Sequence, residues 1–127
     1  MKCKKILVTG SSGFLGSHLA DALEEHGHKV VLFDSFPSKY KSKTQKEFNG
    51  DILKPDNIEI AIEGCDVVYH LAAQADIDSS STSPTQTLQT NIIGTQNIVD
   101  AAINQNVRKL ISSSSFSTCF VLPWKFS

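Results

Sequence analysis

Three apolar residues, Ile6-Leu7-Val8, run directly into a turn with glycine at positions 10, 13 and 16, and from Phe14 onward the apolar spacing becomes helical. This feature limits the chain more than any other. A short apolar run without polar alternation predicts a strand buried on both faces, and a strand covered on both faces belongs to a parallel sheet flanked by helices. The same pattern recurs. Leu15, Leu19, Ala22, Leu23 and His26 fall on one helical stripe, with Gly27 as its C-cap. Lys29 to Phe33 predicts a second strand ending at Asp34, and Ser35 to Lys43, with Pro37 and three lysines, predicts a solvated loop.

A weak strand over Gln45–Phe48 leads to Gly50-Asp51. Pro55 then opens a helix carrying Ile58, Ala61 and Ile62 on its apolar side and closed by Gly64. Asp66 to Leu71 predicts another buried strand. Ser83, Pro84 and Gln86 form a capping box for a helix with Leu88, Ile92, Thr95, Val99 and Ala102 on one stripe. Lys109 to Ile111 predicts the last strand, which opens onto four serines. Alternation of this kind, with right-handed crossovers, predicts an α/β fold. The expected form is a Rossmann-like doubly wound parallel sheet of order 3-2-1-4-5, ending before a sixth strand or a substrate domain.

The bulk properties fit one domain. At 127 residues, 40% hydrophobic and 20% charged, the chain can bury a single core. A net charge of -1 gives no general attraction to nucleic acid or to an anionic membrane. Three cysteines without metal-ligand spacing, no leader-like segment and no membrane-length apolar stretch predict a cytoplasmic protein with free thiols and no metal. His26 and His28 flank a glycine and lack further ligands. His70 ends a buried strand and is expected to be a hydrogen-bonded structural residue.

The chemistry gathers at the glycine turn. Gly10 permits the tight bend, Gly13 lets a pyrophosphate approach the backbone, and Gly16 lets the helix pack near the strand. The N-terminus of that helix offers free N–H groups and positive dipole to phosphate. The lysine and hydroxyl that end a P-loop are absent, as is a Gly-x-Ser-x-Gly elbow. Asp34 stands about 20 residues beyond the turn, where a carboxylate accepts from both ribose hydroxyls and repels a 2′-phosphate; this favours NAD over NADP.

Together the Gly-x-x-Gly-x-x-Gly spacing, Asp34, Gly50-Asp51-Ile52, Tyr69-His70-Leu71-Ala72-Ala73-Gln74 and Asn91-Ile92-Ile93-Gly94-Thr95 resemble the extended short-chain dehydrogenase/reductase family, the NAD-dependent epimerases and dehydratases. Within it the likeness is to nucleotide-sugar 4-epimerases, from about Lys4 to Ser115. The resemblance implies an NAD cofactor held by Gly10, Gly13, Phe14, Leu15, Gly16 and Asp34. Asp51 would hydrogen-bond the adenine and Ile52 pack on it. Leu71, Ala72 and Ala73 would line the ribose and nicotinamide, and Asn91 would steady the active site. Ser114 is implied as the catalytic serine, with Ser112 and Ser113 nearer the nicotinamide. The family's general base, a tyrosine followed four residues later by lysine, has no counterpart in this chain: the only tyrosines are Tyr40 and Tyr69, and neither is so followed.

The Gln74-Ala75-Asp76 continuation resembles the epimerase branch, although Asp78 stands where arginine is usual. The expected function is the NAD-binding domain of an enzyme that transfers hydride at C4 of a nucleotide sugar, inactive as this truncated chain. The alternatives are a non-catalytic dinucleotide-binding sensor or subunit, and an enzyme completed by another chain. Residues 1–115 form the expected dinucleotide-binding domain. Residues 116–127, with three phenylalanines, the sole tryptophan and almost no charge, form a divergent apolar tail. That tail is expected either to cover the open side of the fifth strand or to drive self-association into a homo-oligomer.

Overall fold

Each short apolar run becomes one strand of a single mixed sheet. The computed structural model describes residues 3–38, 45–72, 85, 89–113 and 119–123. Strands β1 (Lys5–Thr9), β2 (Lys29–Asp34), β3 (Lys46–Asn49), β4 (Val67–His70), β5 (Lys109–Ser113) and β6 (Cys119–Pro123) stand in the order β3-β2-β1-β4-β5-β6. The first five are parallel, as the sequence predicts. Helices α1 (Phe14–Glu25), α2 (Pro55–Ile62) and α3 (Gly94–Asn104) lie in the β1–β2, β3–β4 and β4–β5 connections.

Alternation within β1 shows why its three central residues, Ile6, Leu7 and Val8, are all apolar. Leu7 joins Val31, Phe33, Ile58, Ile62, Val68, Ile98 and Leu110 in the core beneath α2 and α3. Ile6 and Val8 join Val30, Leu32, Val67 and Ala20 beneath α1 on the opposite face. Each fully buried aliphatic side chain of this kind contributes roughly 1.5–3 kcal/mol. Helices on both faces therefore remove the side chains from Ile6 to Thr9 from water, and only Lys5 at the start of the strand stays half-buried.

Two helical stripes differ from expectation. Helix α1 seats through Gly16 and Ala20, whereas Leu15 is 58% exposed and Ala22 and His26 face solvent. The reason is the close approach of this helix to the sheet, which small residues permit and a leucine would prevent. Its end matches expectation: Gly27, at φ +87°, donates to the Glu24 carbonyl and His28 donates to the Leu23 carbonyl, the paired bonds of a Schellman cap. On α3 the buried residues are Gly94, Ile98, Ala101 and Ala102, while Ile92 is exposed. A π-helical turn over Gln89–Ile93 precedes this helix. Its wider winding breaks the 3.6-residue period across the segment from which the stripe was read. The capping box of Ser83, Pro84 and Gln86 lies outside the described residues, as does Leu88.

The sixth strand is the larger difference. Part of the apolar tail pairs antiparallel with β5, in register from Lys109 opposite Pro123 to Ser113 opposite Cys119. The tail thus occupies the strand edge that β5 would otherwise present. Deleting residues 116–127 is expected to lower the thermal midpoint or to bring on association. A loss of about 1 kcal/mol lowers the midpoint by roughly 4–6 °C in a domain of this size. Unchanged melting and unchanged light scattering would show that this pairing contributes nothing.

Candidate dinucleotide site

Parallel strands place all their carboxyl ends on one side of the sheet, and the register brings the candidate residues to that side. Thr9 stands opposite Phe33 on β2 and His70 on β4, and His70 stands opposite Ser112 on β5. Asp34 is the last residue of β2, Gly10 and Leu71 directly follow β1 and β4, and Asp51 lies two residues past β3.

Two glycines fix the turn. Gly10 has φ +71°, in the left-handed region, and a Cβ there would lie 2.8 Å from the Leu71 carbonyl and the Ala72 nitrogen. A Cβ on Gly16 would fall 2.1 Å from the Gly10 carbonyl oxygen, so α1 can sit against the turn only with glycine at this position. Gly13 is different. It is exposed at the N-cap of α1, and a Cβ on it would meet only the Gly10 oxygen, at 3.3 Å. Phe14 and Leu15, 81% and 58% exposed, project beside it.

Asp34 is held against this turn by backbone donors. The Ser12 N–H donates to its Oδ2 at 3.0 Å and the Phe36 N–H to its Oδ1 at 3.1 Å. Each carboxylate oxygen keeps a further lone pair. The end of β3 is tied in as well, since the Gly50 N–H donates to the Asp34 carbonyl at 3.0 Å. Asp51 accepts the Leu53 N–H on Oδ1 at 2.9 Å and donates its own N–H to Asn57 Oδ1 at 3.1 Å.

Ile52 sits deeper than a surface residue would. It is 7% exposed and fills the space over Gly94, where a Cβ would lie 2.4 Å from its Cδ1. Its carbonyl accepts from Asn97 Nδ2 at 2.9 Å. Only a small edge of Ile52 is left to face a ligand. Ala73 and Ser114 lie outside the described residues. Ser112 is half-buried at the end of β5.

Four residues beneath these form a connected polar chain. Thr9, wholly buried, accepts the Leu71 and Ala72 N–H groups on Oγ1 at 3.0 and 3.1 Å. Both lone pairs are then in use, so its hydroxyl donates to His70 Nδ1 at 2.7 Å. On the other side the Thr95 hydroxyl donates to the Asn91 carbonyl at 2.8 Å. Its oxygen accepts from His70 Nε2, 3.0 Å away. These partners assign His70 as a neutral ring protonated on Nε2, a structural histidine as the sequence suggests. Burial lowers its pKa from the usual 6.5 to about 4. Sequence inspection gives Thr9 and Ser12 no role and sets Thr95 on a helical stripe without its hydrogen-bond partner. The available signal is Thr9 itself, a hydroxyl at the buried end of an apolar strand, which must find partners.

A glycine turn between a buried strand and a helix, an acid at the next strand's end and a crevice where strand order reverses define a dinucleotide-binding α/β domain of the doubly wound type. The family described as the NAD dependent epimerase/dehydratase family matches residues 6–121, and the chain belongs to it. It is 35% identical over 119 residues to the UDP-N-acetyl-alpha-D-glucosaminuronate decarboxylase of Bacillus cytotoxicus, covering 88% of this chain and 37% of that protein. It is 37% identical over 120 residues to UDP-glucuronic acid decarboxylase 1 of Danio rerio, covering 88% and 28%. Among solved structures, the UDP-glucose 4-epimerase of Thermotoga maritima with UDP-glucose gives a TM-score of 0.81 at 34% identity, covering 87% of this chain and 37% of that one. MoeE5 in complex with UDP-glucose and NAD gives 0.78 at 32% identity, covering 87% and 36%. The chain spans between 28% and 37% of the length of these four proteins. No helix among the described residues is long and apolar enough to cross a membrane.

His70 makes stability depend on pH in a definite direction. Above pH 6.5 the ring is neutral folded and unfolded, and its contribution is complete. Between pH 6.5 and about 4 the unfolded chain binds a proton that the folded chain refuses, so stability falls as pH drops through this window. At about 1.4 kcal/mol per decade of proton affinity, the whole loss is about 3 kcal/mol. Urea unfolding of the wild type and of His70→Phe at pH 7 and pH 4.5 checks this. The wild type is expected to lose about 2 kcal/mol more than the variant over that interval, which stops short of the folded pKa; equal losses would contradict the assignment.

Proposed function

We propose that this chain is the NAD-binding domain of an enzyme acting on a nucleotide sugar, by hydride transfer at C4 in an epimerase, dehydratase or related reaction. The observation that carries it is the glycine turn with Asp34 bonded across it at the carboxyl end of the sheet. The residues present fit the cofactor. Gly10 and Gly16 bring the amino end of α1 against the turn, where its first N–H groups and its dipole favour a pyrophosphate. Gly13 faces outward with no side chain to block the approach. Asp34, fixed by the Ser12 and Phe36 N–H groups, holds spare acceptor positions for ribose hydroxyls. Asp51 would accept from the adenine, with the exposed edge of Ile52 beside it, and Leu71, Ala72 and Ala73 would flank the ribose and nicotinamide. Asn91 would steady the active site, and Ser114 would bond the substrate hydroxyl.

When bound, NAD supplies reversible hydride acceptance, and the chain's own residues orient it. The substrate class is supported by the relatives, which include decarboxylases named for UDP-linked uronic acids and structures titled with UDP-glucose. The 127-residue chain contains no tyrosine with a lysine four residues on, so the proposed serine has no tuned base within it. We place the protein in the cytoplasm.

Titration calorimetry on the 127-residue chain is expected to show NAD binding, with NADP weaker by at least about tenfold, because a 2′-phosphate would lie against the Asp34 carboxylate. Gly13→Val should abolish NAD binding while the fold persists, its side chain projecting into the pyrophosphate's place. Equal or tighter binding of NADP would sink the role given to Asp34.

A further inference from the structure

The strand order reverses between β1 and β4, and the segments after these two strands lead to helices on opposite faces of the sheet. Their backbones touch at that point, since a Cβ on Gly10 would lie 2.8 Å from Leu71 and Ala72 backbone atoms. Peptide segments that meet so closely while diverging keep their spacing only if something ties them. Thr9 does this: its Oγ1 takes the Leu71 and Ala72 N–H groups, and its carbonyl also accepts the Leu71 N–H at 3.2 Å. A hydroxyl that accepts twice has one proton left to place, and in a fully buried setting it needs an acceptor. His70 Nδ1 is that acceptor. The ring can accept there only while its proton sits on Nε2, and Thr95 holds it there by donating its own O–H to the Asn91 carbonyl, which leaves its oxygen free to accept. The carbonyl belongs to the π-helical turn, a geometry that concentrates at functional sites.

We propose that His70 is a positioning residue for the bound dinucleotide: held as the Nε2–H ring between Thr9 and Thr95, it fixes the Leu71–Ala72 peptides over Gly10 and sets the backbone of the turn at Asn91. This role rests on the cofactor site proposed above. His70 need not touch the ligand. It acts through Thr9 on one wall of the crevice and through Thr95 on the turn carrying Asn91, so one ring sets the spacing of two walls. A ring that only filled space would behave differently. Its replacement would then change stability and leave affinity alone.

Thr9→Val and Thr9→Ser separate the two roles. Valine keeps the shape, strands the Ala72 N–H and leaves the Leu71 N–H only the Thr9 carbonyl; serine keeps the hydroxyl and gives up a buried methyl. NAD affinity of the 127-residue chain is expected to fall at least about tenfold in Thr9→Val and in His70→Phe, and to stay within about threefold of wild type in Thr9→Ser despite its lower melting temperature. Nitrogen-15 spectra of the wild type should show His70 protonated on Nε2 and bare on Nδ1, with slow exchange at the Leu71 and Ala72 amides. Wild-type affinity in Thr9→Val and His70→Phe overturns the proposal, and so does a ring protonated on Nδ1. Should Thr9→Val fail to fold, the wild-type spectrum still decides. If the wild type binds no NAD yet shows the Nε2–H ring and protected amides, the cofactor reading fails and with it the positioning role, while the Thr9–His70 tie stands as a structural feature.

Discussion

Everything at the carboxyl end of this sheet depends on one backbone contact, the seating of Gly16 on the Gly10 carbonyl. A Cβ at Gly16 would overlap that oxygen at 2.1 Å, so the first helix can reach its position only with no side chain there. Gly10 in turn needs its positive φ to send the chain from β1 into the helix. Once these two are satisfied, the helix amino end points into the crevice and its N–H groups have no intrahelical partners. An anion is the natural complement to such an end, and under the proposed function Asp34 on the adjoining strand selects which dinucleotide suits it.

The supporting structure is polar and buried, which is expensive unless each group is paired. Thr9, His70, Thr95 and the Asn91 carbonyl satisfy one another in sequence, with one proton in each bond. A chain of this kind has a single consistent assignment, so it holds backbone segments from different elements in one arrangement. Burial keeps the ring neutral, and neutrality keeps the assignment. The β1–β4 crevice and the turn at Asn91 are therefore parts of one unit.

The sequence made the fold legible because its apolar runs are unmistakable: residues buried on both faces cannot alternate with polar ones, and Ile6-Leu7-Val8 do not. The glycine spacing and Asp34 were equally plain, since a φ of +71° and a missing Cβ leave their mark on residue type. What escaped were features without a residue-type signature. A π turn at Gln89–Ile93 changes helical phase without any proline or glycine inside it, so Ile92 was assigned to a core that Ile98 occupies. Periodicity sets Leu15 on the buried stripe while the family resemblance sets it at the cofactor, and it stands exposed beside the glycine turn. The tail's apolar character signalled that something needed covering, but strand pairing with β5 is a long-range contact that no local pattern specifies. Thr9 and Thr95 were silent because a threonine reads the same whether it is solvated or the link in a buried chain.

The central claim is that the carboxyl end of this sheet, and not another surface, receives the dinucleotide. Amide chemical shifts of the 127-residue chain during NAD titration test it most directly. The largest changes are expected at Gly10 through Gly16, Asp34, Leu71 and Ala72, with Gly27 and Gly64, which precede β2 and β4 at the opposite end of the sheet, unmoved. Changes centred on Gly27 and Gly64, or none at the glycine turn at saturating NAD, would contradict it.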